Sequence, residues 1–165
     1  RGSGESIWDI KEKIGMISPE LHWYFDMNAN VGQTIASGFF DSMSLYQKLS
    51  FDQQKQLEQI LYFFDLKDDK NKKLSTLPLG KQRLALLART LIKKPKLLIL
   101  DEPCQGMDNE QTQYFNQVID DLASQGQSLI YVGHFESQLP KKLSHKLVLE
   151  KGKVKINSSF ELLKH

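Results

Sequence analysis

The stretch KKPKLLILDEPCQGMD, residues Lys93 to Asp108, decides the fold. Four apolar residues, Leu97 to Leu100, run without alternation into Asp101 and Glu102, and Pro103 follows at once. An unbroken apolar run of this length, bounded by breakers, predicts a buried strand of a parallel sheet. Two adjacent carboxylates at its carboxyl end then stand where open α/β sheets bind their ligands.

Working outward, Pro95 ends a helix opened by Pro78, because proline suits a first helical turn and cannot continue a later one. Leu84, Leu87, Ala88 and Leu91 form its apolar face. Downstream, 109–124 predicts a helix with Phe115, Val118, Ile119 and Leu122 on one face, a capping-box-like start in Asp108 and Gln111, and a stop at Gly126. A second buried strand over 128–132 closes on Gly133-His134. Strand–helix–strand of this length predicts a parallel pair with a right-handed crossover. It puts His134 at the same edge as Asp101 and Glu102.

Nearer the start, 14–17 reads as a short strand stopped by Pro19, with residues 7–13 ambiguous between helix and strand. Helices follow over 28–37, ended by Gly38, and over 51–66, where Leu57, Ile60, Leu61 and Phe64 share a face. Residues 67–75 are polar and loop-like. Lys151-Gly152 reads as a hairpin turn between strands 147–150 and 153–156, and Ser158 with Glu161 as the capping box of a last helix.

The bulk numbers exclude several classes. The 165 residues suggest one domain, and 40% hydrophobic with 25% charged residues is ordinary for a globular chain. A net charge of +2 gives no electrostatic footprint for nucleic acid. No apolar run reaches the roughly 20 residues of a membrane span, and the N-terminus lacks a signal-peptide apolar segment. A single cysteine, Cys104, excludes an internal disulfide and fits a reducing compartment. The opening Arg1-Gly2-Ser3-Gly4, without methionine, reads as an expression scar or as the interior of a larger protein.

The chemistry of the strand end has two readings. An acid at the last strand position can hold Mg²⁺ through water, and a neighbouring acid can polarise an attacking water. Alternatively, the strand ends in surface carboxylates with no further role, and His134 is structural.

The combination is more specific. Leu77-Pro78-Leu79-Gly80-Lys81-Gln82-Arg83, then LLILDEP, then QGMD over 105–108 and Gly133-His134 resemble the ATP-binding-cassette (ABC) ATPases over nearly the whole chain. SGFFDSMSLYQ (37–47) and GKQRLAL (80–86) look most like its ModF branch, tandem-cassette proteins associated with molybdate transport.

The resemblance implies an α/β fold: a partial P-loop NTPase (RecA-like) core with mostly parallel strands, plus an ABC-type helical subdomain. Residues 1–27 would end the first core region at the Q-loop. Residues 28–92 would form the helical subdomain with the signature segment, and 93–165 the second part of the core. Asp101 would hold Mg²⁺ through water, Glu102 would be the general base, and His134 would contact the γ-phosphate. Asp108 would be the D-loop residue at a cassette–cassette interface. Pro78, Leu79, Gly80 and Lys81 would face the ATP of an opposite cassette. The implied partners are a second cassette and membrane permease subunits, with no nucleic acid and no direct membrane insertion. The implied place is cytoplasmic, at the inner face of the membrane, and the implied role is ATP hydrolysis for an import system.

Three departures from the family pattern bear on this. The signature, LSGGQ in the family, is matched here only at Leu77 and Gly80. Pro78 brings neither hydroxyl nor N–H, so the composite site is either weakened, with Lys81 partly compensating, or tolerant of a proline that merely starts the helix. Ser18 and Pro19 stand at the Q-loop position, and Gln33 is no substitute. No Gly-x-x-x-x-Gly-Lys-[Ser/Thr] string occurs in the chain, so the phosphate-cradling loop is expected upstream and the isolated chain is expected to be inactive. Without that half, apolar sheet faces and edges would stand uncovered. Two further readings stay open: a non-transport cassette acting on ribosomes or DNA, though no heptad run or basic arm supports it, and a degenerate regulatory cassette.

Overall fold

Three short apolar strands carry the site. In the computed structural model, which describes residues 6, 13–22, 24–42 and 47–159, β1 (Ile14–Ile17), β2 (Leu97–Asp101) and β3 (Ser128–Val132) form a parallel sheet in the order β1-β2-β3. Ile14 pairs with Leu97 and Leu97 with Ser128, so the three strands start level, and β2 and β3 end together at Asp101 and Val132. The predicted parallel pair is present, and β1 adds a third strand to it.

The helices are α1 (Pro19–His22), α2 (Val31–Ala36), α3 (Phe51–Phe63), α4 (Leu79–Leu91) and α5 (Asn109–Ser124). Central to the packing is α4, with Gly80, Arg83 to Ala88 and Thr90 all buried. One side of it meets β1 so closely that a Cβ on Gly15 would lie 2.5 Å from Thr90 Cγ2. The other side meets the helical layer, where Val31, Ile35, Leu61, Phe64, Leu66 and Leu74 are fully buried. Fully burying a side chain of this size stabilises the fold by about 1.5–3 kcal/mol.

Local signals explain most boundaries. Asn30 caps α2 and Ser50 caps α3, each in a complete capping box with the glutamine three residues on. This puts Asn30 outside the helix predicted over 28–37. Gly38 does not end α2: it sits in a following 3₁₀ turn (Ser37–Phe40), where a Cβ would lie 2.2 Å from Arg89 O on α4. Glycine is there for close approach. Asp108 caps α5 at its predicted start.

Two expectations are corrected. The reading of 128–132 as a buried strand fails on one face. Leu129 and Tyr131 pack on the core, but Ile130 is 49% and Val132 44% exposed, beside Met16 on β1. Among the described residues, the helices cover only one side of the sheet. The helix expected to start at Ser158 is not formed there either. Ser158 pairs with Lys146 in a hairpin of β4 (His145–Glu150) and β5 (Lys153–Ser159), and Glu161 lies outside the described residues. The hairpin turn falls as predicted, with Lys151 and Gly152 both at positive φ (48° and 74°), as a two-residue turn of this hand requires. The reading of 7–12 also lies outside the described residues.

Candidate active site

The carboxyl ends of β2 and β3 bring the acids and the histidine together. Asp101 is the last residue of β2 and pairs with Val132. The ladder runs one step further, Glu102 N–H donating to Val132 O at 3.0 Å, before the chain turns sharply. Glu102 makes the turn at φ 43°, in the left-handed region that side chains rarely adopt. Its Oε1 lies 2.6 Å from His134 Nε2, two residues beyond the end of β3. Among the described residues its other oxygen has only Gln105 Nε2 at 3.5 Å, the limit of a hydrogen bond. One carboxylate oxygen is therefore anchored and the other is open to a water.

Asp101 alternates with Leu98 and Leu100, which face the core, and so belongs to the open face of the sheet. It is half-buried, and among the described residues its carboxylate has no hydrogen bond or ion pair. No group of three or more His, Cys, Asp or Glu able to hold a metal exists among the described residues. Such a lone carboxylate does not fit an all-protein metal cage. It fits Mg²⁺, which is held by one or two carboxylates while keeping waters and phosphate oxygens.

A braced wall stands behind Glu102. Cys104 Sγ lies 3.4 Å from Tyr131 Oη, which donates to Asn116 Oδ1 at 3.3 Å, and Asn116 Nδ2 donates to Gln138 O at 2.7 Å. Burial pushes both the thiol and the phenol up from their usual ranges, so both stay neutral. The wall ties the turn after β2 to the loop after His134. It borders a cleft of about 300 Å³ that also takes in Glu102, Gly106, Val132 and His134.

Residues 78–81, expected to be the signature segment, share no hydrogen bond or ion pair with Glu102 or His134 among the described residues. Pro78 is the N-cap of α4, with no side-chain cap, so the helix begins at Leu79, one residue later than predicted. Gly80 N–H donates to Gln111 Oε1 at 3.1 Å. Gln111 therefore does not complete the capping box expected with Asp108, although its own N–H donates to Asp108 Oδ1 at 2.8 Å. Lys81 Nζ lies 2.6 Å from Asp69 Oδ2, and Lys72 holds Oδ1 of the same buried carboxylate at 2.6 Å. The hydrogen bond to Asp69 holds Lys81 above its usual pKa range. Burial alone would raise Asp69, but the two lysines outweigh it and hold it below its usual range. At the Q-loop position, Ser18 is buried and its carbonyl accepts from Arg83 Nη1 of α4 at 3.5 Å; Pro19 opens α1. Among the described residues Arg83 Nε is buried without a partner, and burial lowers the guanidinium's pKa.

Sequence reasoning did not single out Asp69, Asn116 or Tyr131, and it read Gln111 as a cap partner of Asp108 rather than of Gly80. The one usable signal was Gly80, since a Cβ there would lie 3.1 Å from Gln111 Cβ and Cγ.

The architecture is that of an α/β nucleotide-binding cassette, and known proteins agree. The family model described as ABC transporter matches residues 3–105, and the chain belongs to that family. It is 42% identical to the ABC transporter ATP-binding protein ModF of Escherichia coli K12 over 149 residues, which cover 89% of this chain and 30% of that protein. An uncharacterized ABC transporter ATP-binding protein of Schizosaccharomyces pombe is 32% identical over 95% of this chain and 32% of its own length. The chain thus spans about a third of these curated relatives. Among solved structures, cbiO1 from Clostridium perfringens, part of the ABC transporter complex cbiONQ, superposes with a TM-score of 0.78 at 23% identity, over 93% of this chain and 59% of that one. At that identity the likeness speaks for the fold. No helix among the described residues is long and apolar enough to cross a membrane.

Proposed function

We propose that this chain is the Walker B, D-loop and signature portion of an ATP-hydrolysing cassette that powers an import system. The observation that carries the reading is the Glu102–His134 pair, 2.6 Å apart beside Asp101, whose carboxylate has no partner among the described residues, at the carboxyl edge of a parallel sheet. Glu102 Oε1 stays on His134 while Oε2 accepts the proton of the attacking water. His134 fixes the carboxylate's orientation and presents the same imidazole to the γ-phosphate. Asp101 would hold Mg²⁺ through water, and the ion would neutralise developing phosphate charge. The phosphate cradle would come from a P-loop outside these 165 residues. Pro78 to Lys81 would face the nucleotide of a second cassette, with Asp108 at the shared interface.

The finer reading follows the resemblance to the ModF branch: docking on membrane permease subunits at the cytoplasmic face and coupling to molybdate import. ATP turnover by the complete protein, wild type against Glu102→Gln, tests the core of it. Gln keeps the hydrogen bond to His134 but cannot take a proton. Loss of a general base slows turnover about 10²–10⁴-fold, with ATP retained. Unchanged turnover would assign hydrolysis to another cassette and remove Glu102 from the role.

A further inference from the structure

The first turn of α4 is where the proposed function needs donors for a facing phosphate, and two of them are held by acceptors of the same chain. Gly80 N–H is bound to Gln111 Oε1 at 3.1 Å, and Lys81 Nζ to Asp69 Oδ2 at 2.6 Å. The two holds differ in kind. Asp69 keeps Lys72 on its other oxygen, so Lys81, whose side chain is 40% exposed, can swing away without stranding a bare buried charge. Gln111 is a neutral acceptor in the first turn of α5. A phosphate oxygen, being charged, is the stronger partner for the same N–H. Glycine at position 80 admits the glutamine, because a Cβ would crowd it at 3.1 Å. Gln111 also hangs from Asp108 through its own N–H, and Gly106 of the same loop packs near Leu79.

We propose that Gln111 is a positioning residue that occupies Gly80 N–H when no facing nucleotide is present and must withdraw for the γ-phosphate to dock there. Withdrawal swings the side chain that links the signature turn to the capping turn of Asp108. The inference rests on the proposed function, since it needs a facing nucleotide.

Steady-state ATPase of the complete protein, measured over a range of ATP concentrations for wild type, Gln111→Ala and Gln111→Glu, tests it. Removing the competitor in Gln111→Ala lowers KM about fivefold, the worth of one net intramolecular hydrogen bond, with kcat within about twofold. Gln111→Glu keeps the length and the acceptor but adds a negative charge where the phosphate must come, and raises KM roughly tenfold or more. A merely structural strut would behave the other way: Gln111→Glu near wild type, and Gln111→Ala raised in KM or lowered in kcat. That pattern, or two unchanged KM values, overturns the inference while leaving the proposed function standing. Should Gln111→Ala fail to fold, the KM of Gln111→Glu decides alone. A wild type that binds no ATP overturns both readings.

Discussion

Replacing Gly38 with alanine tests the joint between the helical layer and α4. Its new Cβ would lie 2.2 Å from Arg89 O, 2.8 Å from Ile92 Cγ2 and 3.1 Å from Arg89 C. Carbon–oxygen contacts are comfortable near 3.4 Å, so roughly 1 Å of separation is required. The obstacle is backbone inside a buried helix and cannot rotate aside. Overpacking costs about 1–3 kcal/mol, and the rigid neighbour puts Gly38→Ala at the upper end, about 3 kcal/mol. Separation would also loosen Arg89, whose Nε donates to Ser37 Oγ at 3.1 Å and Nη2 to Ser42 O at 2.9 Å. For a chain of this size about 3 kcal/mol lowers Tm by roughly 6–12 °C. Thermal unfolding followed by far-ultraviolet circular dichroism, wild type beside variant, reads it directly. Gly126→Ala is the control: φ there is +90° and nothing lies within 4 Å, so only the backbone cost of about 1 kcal/mol applies. A Tm drop for Gly38→Ala no larger than that of the control would refute the steric argument.

Asp69 contributes a pH-dependent share of stability. Its folded pKa lies below the ordinary 3.8, so the contribution is complete above that value and is lost as pH falls through the folded pKa. Asp69→Asn is expected to cost about 1–2 kcal/mol at pH 7, discounted because both lysines are part-exposed, and the gap from wild type should close as pH drops below about 4. Urea midpoints across pH 2–7 check this; a gap that stays constant would argue against it. Asp120, buried on α5, accepts from Lys142 N at 2.7 Å and Lys141 N at 3.1 Å, so Asp120→Ala unpins the segment leading into β4. The expected loss is about 2 kcal/mol in chemical denaturation, with faster amide exchange at 141 and 142; unaltered exchange there would count against the assignment.

The parts of the fold that were legible in the sequence rest on local physics. The bounds of α5 were readable because Asp108, Gly126 and a 3.6-residue periodicity all act within the segment itself. The strand ending in Asp101 and the turn at Lys151-Gly152 were readable for the same reason. What sequence reasoning missed depends on distant neighbours. Ser-Leu-Ile-Tyr-Val is apolar on both faces, yet only Leu129 and Tyr131 find a covering layer among the described residues. Ser158 and Glu161 carry a capping pattern, but pairing with β4 takes Ser158 into a strand. Gln111 satisfies a cap pattern with Asp108 until a helix start 31 residues away claims its side chain. The carboxylate–imidazole pair was foreseeable because parallel topology alone brings the ends of β2 and β3 to one edge.

The left-handed turn at Glu102 carries a consequence for engineering. A non-glycine residue held at φ 43° stores about 1–2 kcal/mol of backbone strain, which glycine would release. At this one position the substitution that most relaxes the main chain is also the one that deletes the proposed base. A library screened only for heat resistance would therefore drift away from the acid, and under the proposed role its hardiest members would lose turnover. If Glu102 is the base proposed above, selection for turnover holds it in place against that pull.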